Sequence, residues 1–596
     1  MARIDCKLKI VAILCFVFIS LSTLIAYTNP SKDFELSIYE STPISVWVLL
    51  IISIAGGVAI IVHQVYTKEY KYGNFWQLGF LILILSRVTL LYIPFIRGYY
   101  TWNGDNISHI GFVKDILFTG HIPSDNFYPI THILLTMLIS SSGAPIELIV
   151  NHSTALLSIF YVVSIYLLAT TALSSREAQL LSVAAIGGVL FNGYDVYLMP
   201  NGWSILYLPL VFFLFFKSLL NRFPLEHKLL LVVTLVLFPF FHPLSSLMLI
   251  IMILTIGVIS CLIHIIGNKN VFWHNIPYLF PITSTFIVLT ILLPWILSFQ
   301  GFKINIHLLY NALTTGYGQD VIAQMGERLN KINVHGLDFV NLILKIMGDD
   351  IIFLVLSIIA AIILFKNHEE RKRNNNLLVF IGITFVVGMM YVAYLFNIIP
   401  GLGNIGSQRL LAYLVIFTPI SAGFTLKHFI NKKNYISAIV CIVIIMMASI
   451  ISILSLFPSP YILQPNVQVT QMDMYGVKWF VDNKDRKISD TVIMSPTYRF
   501  ADAIIGSNEV NKRTDIKHFS LQIPDHFNYY LNKYIGESYT EDKYAVITEF
   551  DKTIYDTVWK VVGRFHKEDF EKLEMDKTVD KLYNNGELNV WYVRAV

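Results

Sequence analysis

Three aspartates and three histidines occur close together between Tyr100 and His132, in a chain that is otherwise mostly apolar. They are Asp105, His109, Asp115, His121, Asp125 and His132. Asp105 and His109 are four residues apart, so a helix would place both side chains on one face. A carboxylate at a membrane surface can take a proton from an attacking hydroxyl group, and a neighbouring imidazole can orient that group. We therefore predict Asp105 and His109 as the catalytic pair, with a helix cap or an Asx turn as the alternative interpretation of Asp105.

The same two residues have the spacing of metal ligands on a helix, but two ligands do not complete a site. Asp195, or the adjacent Asp349 and Asp350, would add oxygen ligands of the kind that Mg²⁺ and Mn²⁺ prefer. An Arg or Lys side chain could equally neutralise a phosphate-linked leaving group. The sequence therefore leaves open whether Mg²⁺ or Mn²⁺ is a cofactor, with Asp105 as a candidate ligand.

Two further polar residues stand out against apolar surroundings. His242 precedes Pro243 inside a long apolar stretch, where an ionisable side chain usually faces a cavity or a partner. The alternative is a histidine at the level of the lipid headgroups, beside a turn made by the proline. Arg409 is the only Lys or Arg of its connection, and it either reaches the lipid surface or holds an anion such as phosphate. We predict that His242, Arg409, His132 and Asp195 bind substrate.

The composition indicates which elements must position these residues. Of the 596 residues, 55% are hydrophobic and 14% are charged, and the mean hydropathy is +0.61. Apolar runs of about 20 residues, enough to cross about 30 Å of hydrocarbon, recur along the chain. They predict a polytopic α-helical membrane protein with about thirteen transmembrane helices, at 8–26, 44–65, 74–96, 150–172, 178–193, 203–219, 228–241, 244–266, 276–298, 351–365, 377–398, 410–427 and 435–457. The apolar runs make the lipid bilayer a partner, and the net charge of only +4 argues against a nucleic-acid partner.

The distribution of Lys and Arg predicts the orientation of the chain. Basic residues such as Lys68, Arg176 and the cluster at 366–373 fall on one side when the spans alternate, and that side should be the cytoplasm. The prediction is a multi-pass plasma-membrane protein with a cytoplasmic N-terminus and with every candidate site residue on the outer face. The sequon at Asn106 lies on that face, and we interpret it as a coincidence.

The chain divides into three parts by composition. Residues 1–73 are additional N-terminal transmembrane helices, and residues 74–457 form a membrane domain with large outer loops at 97–149 and 299–350. Residues 458–596 are charged and mixed, which predicts a soluble extracytoplasmic α/β domain. Within it, helical spacing occurs at 472–483, and strand-like content occurs at 491–494, 544–548 and 588–593.

These features together resemble the GT-C superfamily of integral membrane glycosyltransferases, which use polyprenyl-phosphate-linked sugars. The resemblance rests on Gly104-Asp105-Asn106 with His109, the run from Gly120 to His132, His242-Pro243, Arg409, and the chain end from Asp580 to Val593. It implies that Asp105 is the catalytic base or a metal-binding acid, that the lipid phosphate binds near Arg409, and that transfer is inverting. The chain departs from the family in two places. The last part lacks a WWDYG-type segment, which argues against an oligosaccharyltransferase. The first outer loop lacks an Asp-x-Asp or Asp-Glu pair, which leaves the protein-mannosyltransferase and aminoarabinose-transferase branches of the family unsupported.

The sequence thus predicts a membrane glycosyltransferase. It would move a sugar from a polyprenyl-phosphate-linked donor to a glycan, lipid or protein acceptor on the outer face, with Asp105 as base. The alternatives are a lipid-linked glycan polymerase or ligase, and a flippase or transporter, which would need ionisable or broken helices near the middle of the bilayer.

Overall fold

The computed structural model describes residues 6–596 apart from 191, 220–224, 266–278, 316–325, 328, 330–332, 400–404, 431–433 and 517–520. In the described part, ten helices are long and apolar enough to cross a membrane. They are Cys6–Thr28, Ile44–Thr67, Trp76–Ile96, Ile146–Ala172, Pro200–Leu219, Pro243–Ile265, Leu279–Leu297, Leu337–Lys366, Asn375–Leu395 and Tyr435–Ser455. The helices Ser407–Val415 and Thr418–Phe429, bent by 44° at their junction, count as an eleventh span if taken together. The predicted polytopic helical architecture is confirmed.

The two other predicted spans, 178–193 and 228–241, are helical but short. Arg176–Gly187 has 12 residues and Leu225–Leu237 has 13 residues. At 1.5 Å per residue, each covers only about 20 Å, less than the roughly 30 Å of a hydrocarbon core. Most of Arg176–Gly187 is buried among other helices. Apolar residues that pack against protein give the same sequence signal as those that face lipid, which explains why the sequence predicts a span at 178–193.

The predicted outer loop at 299–350 is largely helical where the structure describes it. It contains the helix Gln300–Thr315 and the first half of the 30-residue helix Leu337–Lys366, and its residues 316–325 lie outside the described part. Asp349 and Asp350 interrupt the apolar run in the sequence, but both are buried within the helix. A helix can extend beyond the hydrocarbon core, so its end does not have to coincide with the last apolar residue.

Two hydrogen bonds each join connections that the predicted alternation places on the same side of the membrane. Near one end of the bundle, the Tyr70 hydroxyl donates a hydrogen bond of 2.6 Å to Glu177. Near the other end, the Leu198 N–H donates one of 2.6 Å to the Asn106 side chain. The first pair joins two predicted cytoplasmic connections and the second pair joins two predicted outer ones. Which of the two faces is cytoplasmic remains a prediction.

The connection between the first two membrane helices is tied to the rest of the molecule by buried polar groups. The Arg97 guanidinium makes two bonds of 2.6 Å to the Glu35 carboxylate, and the Tyr99 hydroxyl donates to the same carboxylate at 2.7 Å. The Asn466 amide donates to the Glu35 carbonyl oxygen at 2.6 Å. Residues 29–43 therefore contact both the C-terminal end of Trp76–Ile96 and the start of the last part of the chain.

Residues 458–596, called the tail domain below, contain helices around a mixed five-stranded sheet. The strands are β3 (Ser489–Val492), β4 (Leu521–Gln522), β5 (Lys543–Thr548), β6 (Val579–Asn584) and β7 (Leu588–Val593), and the longer helices are Gln471–Asn483, Thr497–Ile505 and Lys567–Met575. The sheet order is β4-β3-β5-β7-β6, with β3 parallel to β4 and β5, and β7 antiparallel to β5 and β6. The predicted α/β character is confirmed.

Two contacts at the start of the tail domain join it to the first outer loop. Strand β1 (Thr101–Trp102) pairs antiparallel with β2 (Gln468–Val469). The helix Asp105–Thr119, called the loop helix, packs against Thr497–Ile505, called the tail helix, and Gly111 allows the close approach. A Cβ atom on Gly111 would lie 2.6 Å from the Asp502 carbonyl oxygen, a backbone atom that cannot turn away.

Adjacent residues of the loop helix also cap two helix ends of the tail domain. The Lys114 ammonium donates to the Ala503 carbonyl oxygen at 2.5 Å, near the end of the tail helix. The Asp115 carboxylate accepts from the Asn508 N–H at 2.9 Å, in the first turn of Ser507–Lys512. A cation at a helix C-terminus and an anion at an N-terminus both complement the helix dipole. Asp115 is therefore a buried cap, whereas Asp125 is exposed.

Replacing Gly111 with Leu should separate the tail domain from the loop helix. Overpacking a close contact costs about 1–3 kcal/mol, because either the backbone or the neighbouring side chains must move. We expect faster limited proteolysis between the membrane domain and the tail domain. Gly301→Leu is the matched control, because a Cβ there meets nothing within 4 Å. Equal cleavage rates in the two variants would contradict the prediction.

Candidate active site

The loop helix begins at the predicted catalytic residue. Gly104 has φ of +96°, a conformation that favours glycine, and Asp105 follows as the first helical residue. The Asp105 carboxylate is exposed and forms an ion pair of 2.8 Å with Arg499 of the tail helix. His109, one turn further on, is buried. The structure thus places Asp105 and His109 on one helix, as predicted, and adds an arginine from the tail domain.

His109, His132 and His242, called the histidine cluster, are brought together from three parts of the chain. The Tyr128 N–H donates to the Asn126 Oδ1 atom at 3.4 Å, so the Asn126 Nδ2 atom faces His132 Nδ1, 2.9 Å away. His132 Nε2 then donates to His109 Nδ1 over 3.0 Å. This direction of hydrogen bonding leaves the proton of neutral His109 on Nε2. His109 can therefore offer an N–H donor to a bound substrate.

Tyr128 connects the two sides of the site. Its ring stacks on His242, with centroids 5.9 Å apart and planes 16° apart, and His242 immediately precedes the helix Pro243–Ile265. Burial raises the pKa of the Tyr128 hydroxyl to about 12, with Asp105 and Asp125 also raising it and Arg409 lowering it. One side chain therefore lies within electrostatic range of both Asp105 and Arg409. Around Tyr128 the structure therefore places His242 in direct ring contact and Asp105, Asp125 and Arg409 at longer range.

Burial keeps all three histidines of the cluster neutral near pH 7. It lowers the pKa of His109 from 6.5 to about 4, an effect that Asp105 opposes and Arg499 reinforces. It lowers the pKa of His242 to about 3, with Arg409 and His109 acting in the same direction. The pKa of His132 is also well below its ordinary value, through burial and the neighbouring His109. These imidazoles can orient a substrate but cannot supply a proton as imidazolium.

The cluster should make the protein less stable in acid. Between pH 6.5 and pH 4 the unfolded chain protonates His109 and the folded chain does not, so stability falls as the pH falls through this window. At pH 5 the loss from His109 alone is about 2 kcal/mol. We expect His109→Gln to reduce the fall in melting temperature between pH 7 and pH 5. The exposed His121→Gln should melt like the wild type, and equal pH dependence in all three proteins would contradict the assignment.

Arg409 is a cation without a counter-charge in the described part of the chain. It lies in the first turn of Ser407–Val415, and no described carboxylate is within ion-pair distance of it. Its guanidinium interacts with the Tyr194 hydroxyl, which also interacts with the Asn201 amide. A guanidinium offers a fork of donors that matches phosphate, so this position can hold an anion.

Three helices begin around Arg409. They are Pro200–Leu219, Pro243–Ile265 and Ser407–Val415. The Asn201 Oδ1 atom accepts hydrogen bonds from Ser245, in the first turn of the second helix, at 2.9 Å and from Tyr413, in the second turn of the third helix, at 3.1 Å. Helix N-termini carry positive partial charge and unpaired N–H groups, which favour a bound anion. The dipoles and Arg409 act together, so a phosphate group would be stabilised here.

Asp195 lies in a buried ion pair. Its Oδ1 atom accepts from the Arg87 guanidinium at 2.8 Å and from the Ser158 hydroxyl at 2.7 Å, and both charged side chains are 1% exposed. This pair joins Trp76–Ile96 to Ile146–Ala172 and to the segment that carries Asp195. The ion pair supplies a structural reason for the aspartate, and the substrate-binding role remains a prediction.

The donors near Asp105 do not fit a metal ion. The Asp105 carboxylate pairs with Arg499, Asp195 pairs with Arg87, and Asp349 and Asp350 are buried within a membrane helix. The described residues contain no group of three or more His, Cys, Asp or Glu side chains arranged to hold a metal. The oxygen-rich set suggested by the sequence is therefore not assembled, and we derive no step through Mg²⁺ or Mn²⁺.

Several residues of the site gave no signal in the sequence. Arg499 lies 394 residues after its partner in a mixed-composition segment, and Asn126, Tyr128 and Tyr194 resemble ordinary loop residues. Asn106, by contrast, belongs to a sequon but is buried. Its Oδ1 accepts from the Leu198 N–H, and its Nδ2 donates to the Thr101 hydroxyl at 2.8 Å. This burial supports the interpretation of the sequon as a coincidence.

Comparison with solved structures identifies the class of fold. The archaeal oligosaccharyltransferase AglB from Archaeoglobus fulgidus, in complex with an inhibitory peptide and a dolichol-phosphate, is similar over 84% of this chain and 72% of its own, with 12% identity and a TM-score of 0.50. ArnT from Cupriavidus metallidurans bound to undecaprenyl phosphate is similar over 86% and 98%, with 9% identity and a TM-score of 0.47. No protein-family profile matches the chain, and no curated protein matches its sequence. The chain therefore shares its overall fold with AglB, a likeness in the direction that the sequence resemblance predicts.

Proposed function

We propose that the protein is a membrane glycosyltransferase that takes a sugar from a polyprenyl-phosphate-linked donor and passes it to an acceptor on the outer face. The observation that carries the proposal is the position of Tyr128, which stacks on His242 and lies in the fields of Asp105 and Arg409. In this proposal Asp105 serves as the general base and Arg409 as the anion-binding group. The similarity to AglB, a protein solved with dolichol-phosphate, supports this use of the fold.

In the proposed reaction, Arg409 and the three helix N-termini hold the phosphate of the donor. The acceptor hydroxyl attacks the anomeric carbon on the side opposite the phosphate, so the new C–O bond forms as the bond to the phosphate oxygen breaks. Asp105 takes the hydroxyl proton, and the electron pair of the broken bond leaves on the phosphate. The configuration of the sugar is inverted. Because a phosphate leaves as a stable anion beside Arg409, no second carboxylic acid is needed to protonate it.

Asp105 must leave Arg499 before it can act as the base. An exposed ion pair is worth only about 0–1 kcal/mol, so a bound substrate can open it at little cost. His109 presents its Nε2 proton nearby and can orient the sugar or the acceptor. His242 is neutral and stacked, so it forms a wall of the site beside Arg409.

The test is cleavage of the donor by the purified full chain in liposomes that contain synthetic polyprenyl-phosphate sugars. Water can replace the acceptor, so release of free polyprenyl phosphate reports on the donor reaction even when the acceptor is unknown. We expect protein-dependent release with at least one sugar of a panel that includes glucose, mannose and their amino derivatives. Movement of intact donor between leaflets without any cleavage would contradict the proposal and favour a flippase.

A further inference from the structure

Arg499 is a second cation at the candidate active site, and it comes from the tail domain. It lowers the pKa of His109, while Arg409 lowers the pKa of His242. Arg499 therefore lies near His109, and Arg409 lies near His242. The proposed donor phosphate occupies the Arg409 side, so the Arg499 side is left for another group.

The position of Arg499 is set by packing. The tail helix is held against the loop helix at Gly111, and the Lys114 ammonium caps its end. The segment just before the tail helix is also tied to the loop, since the Asn103 amide donates to the Ser495 hydroxyl at 3.3 Å. Arg499 is therefore held at the site by its own helix rather than reaching it from a free loop.

The guanidinium of Arg499 is only partly used. Nη1 pairs with Asp105, Nε donates to the Tyr498 hydroxyl at 3.1 Å, and Nη2 has no hydrogen-bond partner in the part of the chain that the structure describes. The side chain is 23% exposed and the Asp105 side chain is 71% exposed. Such a pair is weak in water, so an incoming anion with two oxygen atoms can replace the carboxylate on the fork.

We propose that Arg499 forms a second anion-binding subsite, which holds a carboxylate or phosphate group of the acceptor. This rests on the proposed function. When the acceptor anion takes the guanidinium, Asp105 is released beside the acceptor hydroxyl. Because the Asp105–Arg499 pair is exposed and weak, it also opens without an acceptor and allows slow hydrolysis, but an acceptor anion on Arg499 frees the base far more often and makes transfer faster than hydrolysis. The preferred acceptors carry a negative group near the reacting hydroxyl.

The experiment compares two reactions of the full chain in liposomes. One is hydrolysis of the donor, and the other is transfer of labelled sugar to an acceptor fraction from membranes of the source cells. We expect Arg499→Gln to lower the ratio of transfer to hydrolysis at least tenfold, and Arg499→Lys to recover part of it. Arg564→Gln is the control, because Arg564 pairs with Asp525 in the same domain at similar exposure, 21% and 56%, and should leave the ratio unchanged.

Two treatments of the acceptor fraction identify the anionic group. Esterification of its carboxyl groups should reduce transfer by the wild type to the level of Arg499→Gln if the group is a carboxylate, and phosphatase treatment should do so if it is a phosphate. The inference is overturned if Arg499→Gln lowers transfer and hydrolysis equally, or if neither treatment affects the wild type. Absence of hydrolysis by the wild type would instead overturn the proposed function, and this inference with it.

Discussion

Asp105→Asn is expected to lower sugar transfer by a factor of about 10² to 10⁴, the range that a positioned general base supplies. The amide has nearly the shape of the carboxylate, so the start of the loop helix at Gly104 should be kept. It cannot accept the proton of the attacking hydroxyl. The measurement is the rate of transfer by the purified variant at saturating donor, with thermal melting as a check on folding.

Asp125→Asn is the matched control for this prediction. Asp125 belongs to the same outer loop and is exposed, and it accepts a hydrogen bond from Asn511 of the tail domain at 3.1 Å. Its loss should change transfer less than threefold. If Asp105→Asn transfers sugar as fast as the control, Asp105 is not the base.

Arg87→Gln is expected to have the largest effect on folding, a loss of about 3–5 kcal/mol. Removing one partner of a buried ion pair leaves the other charge uncompensated, and Asp195 would remain in a site that is 1% exposed. The Arg87 guanidinium also donates to the Ser158 hydroxyl at 2.6 Å and to the Val189 carbonyl oxygen, so these groups lose a donor as well. We expect a low yield of monodisperse protein and a lower melting temperature.

The double variant Arg87→Gln with Asp195→Asn separates the structural role of Asp195 from the predicted substrate-binding role. Removing both charges should recover part of the stability, because neither charge is then left alone. If Asp195 acts only through the ion pair, the recovered protein should transfer sugar. A folded double variant without transfer would instead support direct binding of substrate by Asp195.

The sequence by itself determined most of the membrane helices of this protein and which polar residues share a helix face. A run of about 20 apolar residues has few alternatives to a membrane helix, since an unpaired backbone group in hydrocarbon is costly. The four-residue spacing of Asp105 and His109 is likewise a local property, because residues four apart lie on the same face of a helix. These predictions depend on neighbours in the chain, which is why most of the membrane helices could be predicted from the sequence.

Only the tertiary structure decided which polar residues meet. Asp105 pairs with Arg499 and Asp195 with Arg87, and such pairing depends on how remote helices pack rather than on any local pattern. Asp105 and Asp195 are alike in the sequence, both aspartates in predicted outer segments. Packing leaves the first exposed beside the histidine cluster and buries the second against an arginine. Burial and partners, not residue type, thus separate the candidate base from the structural acid.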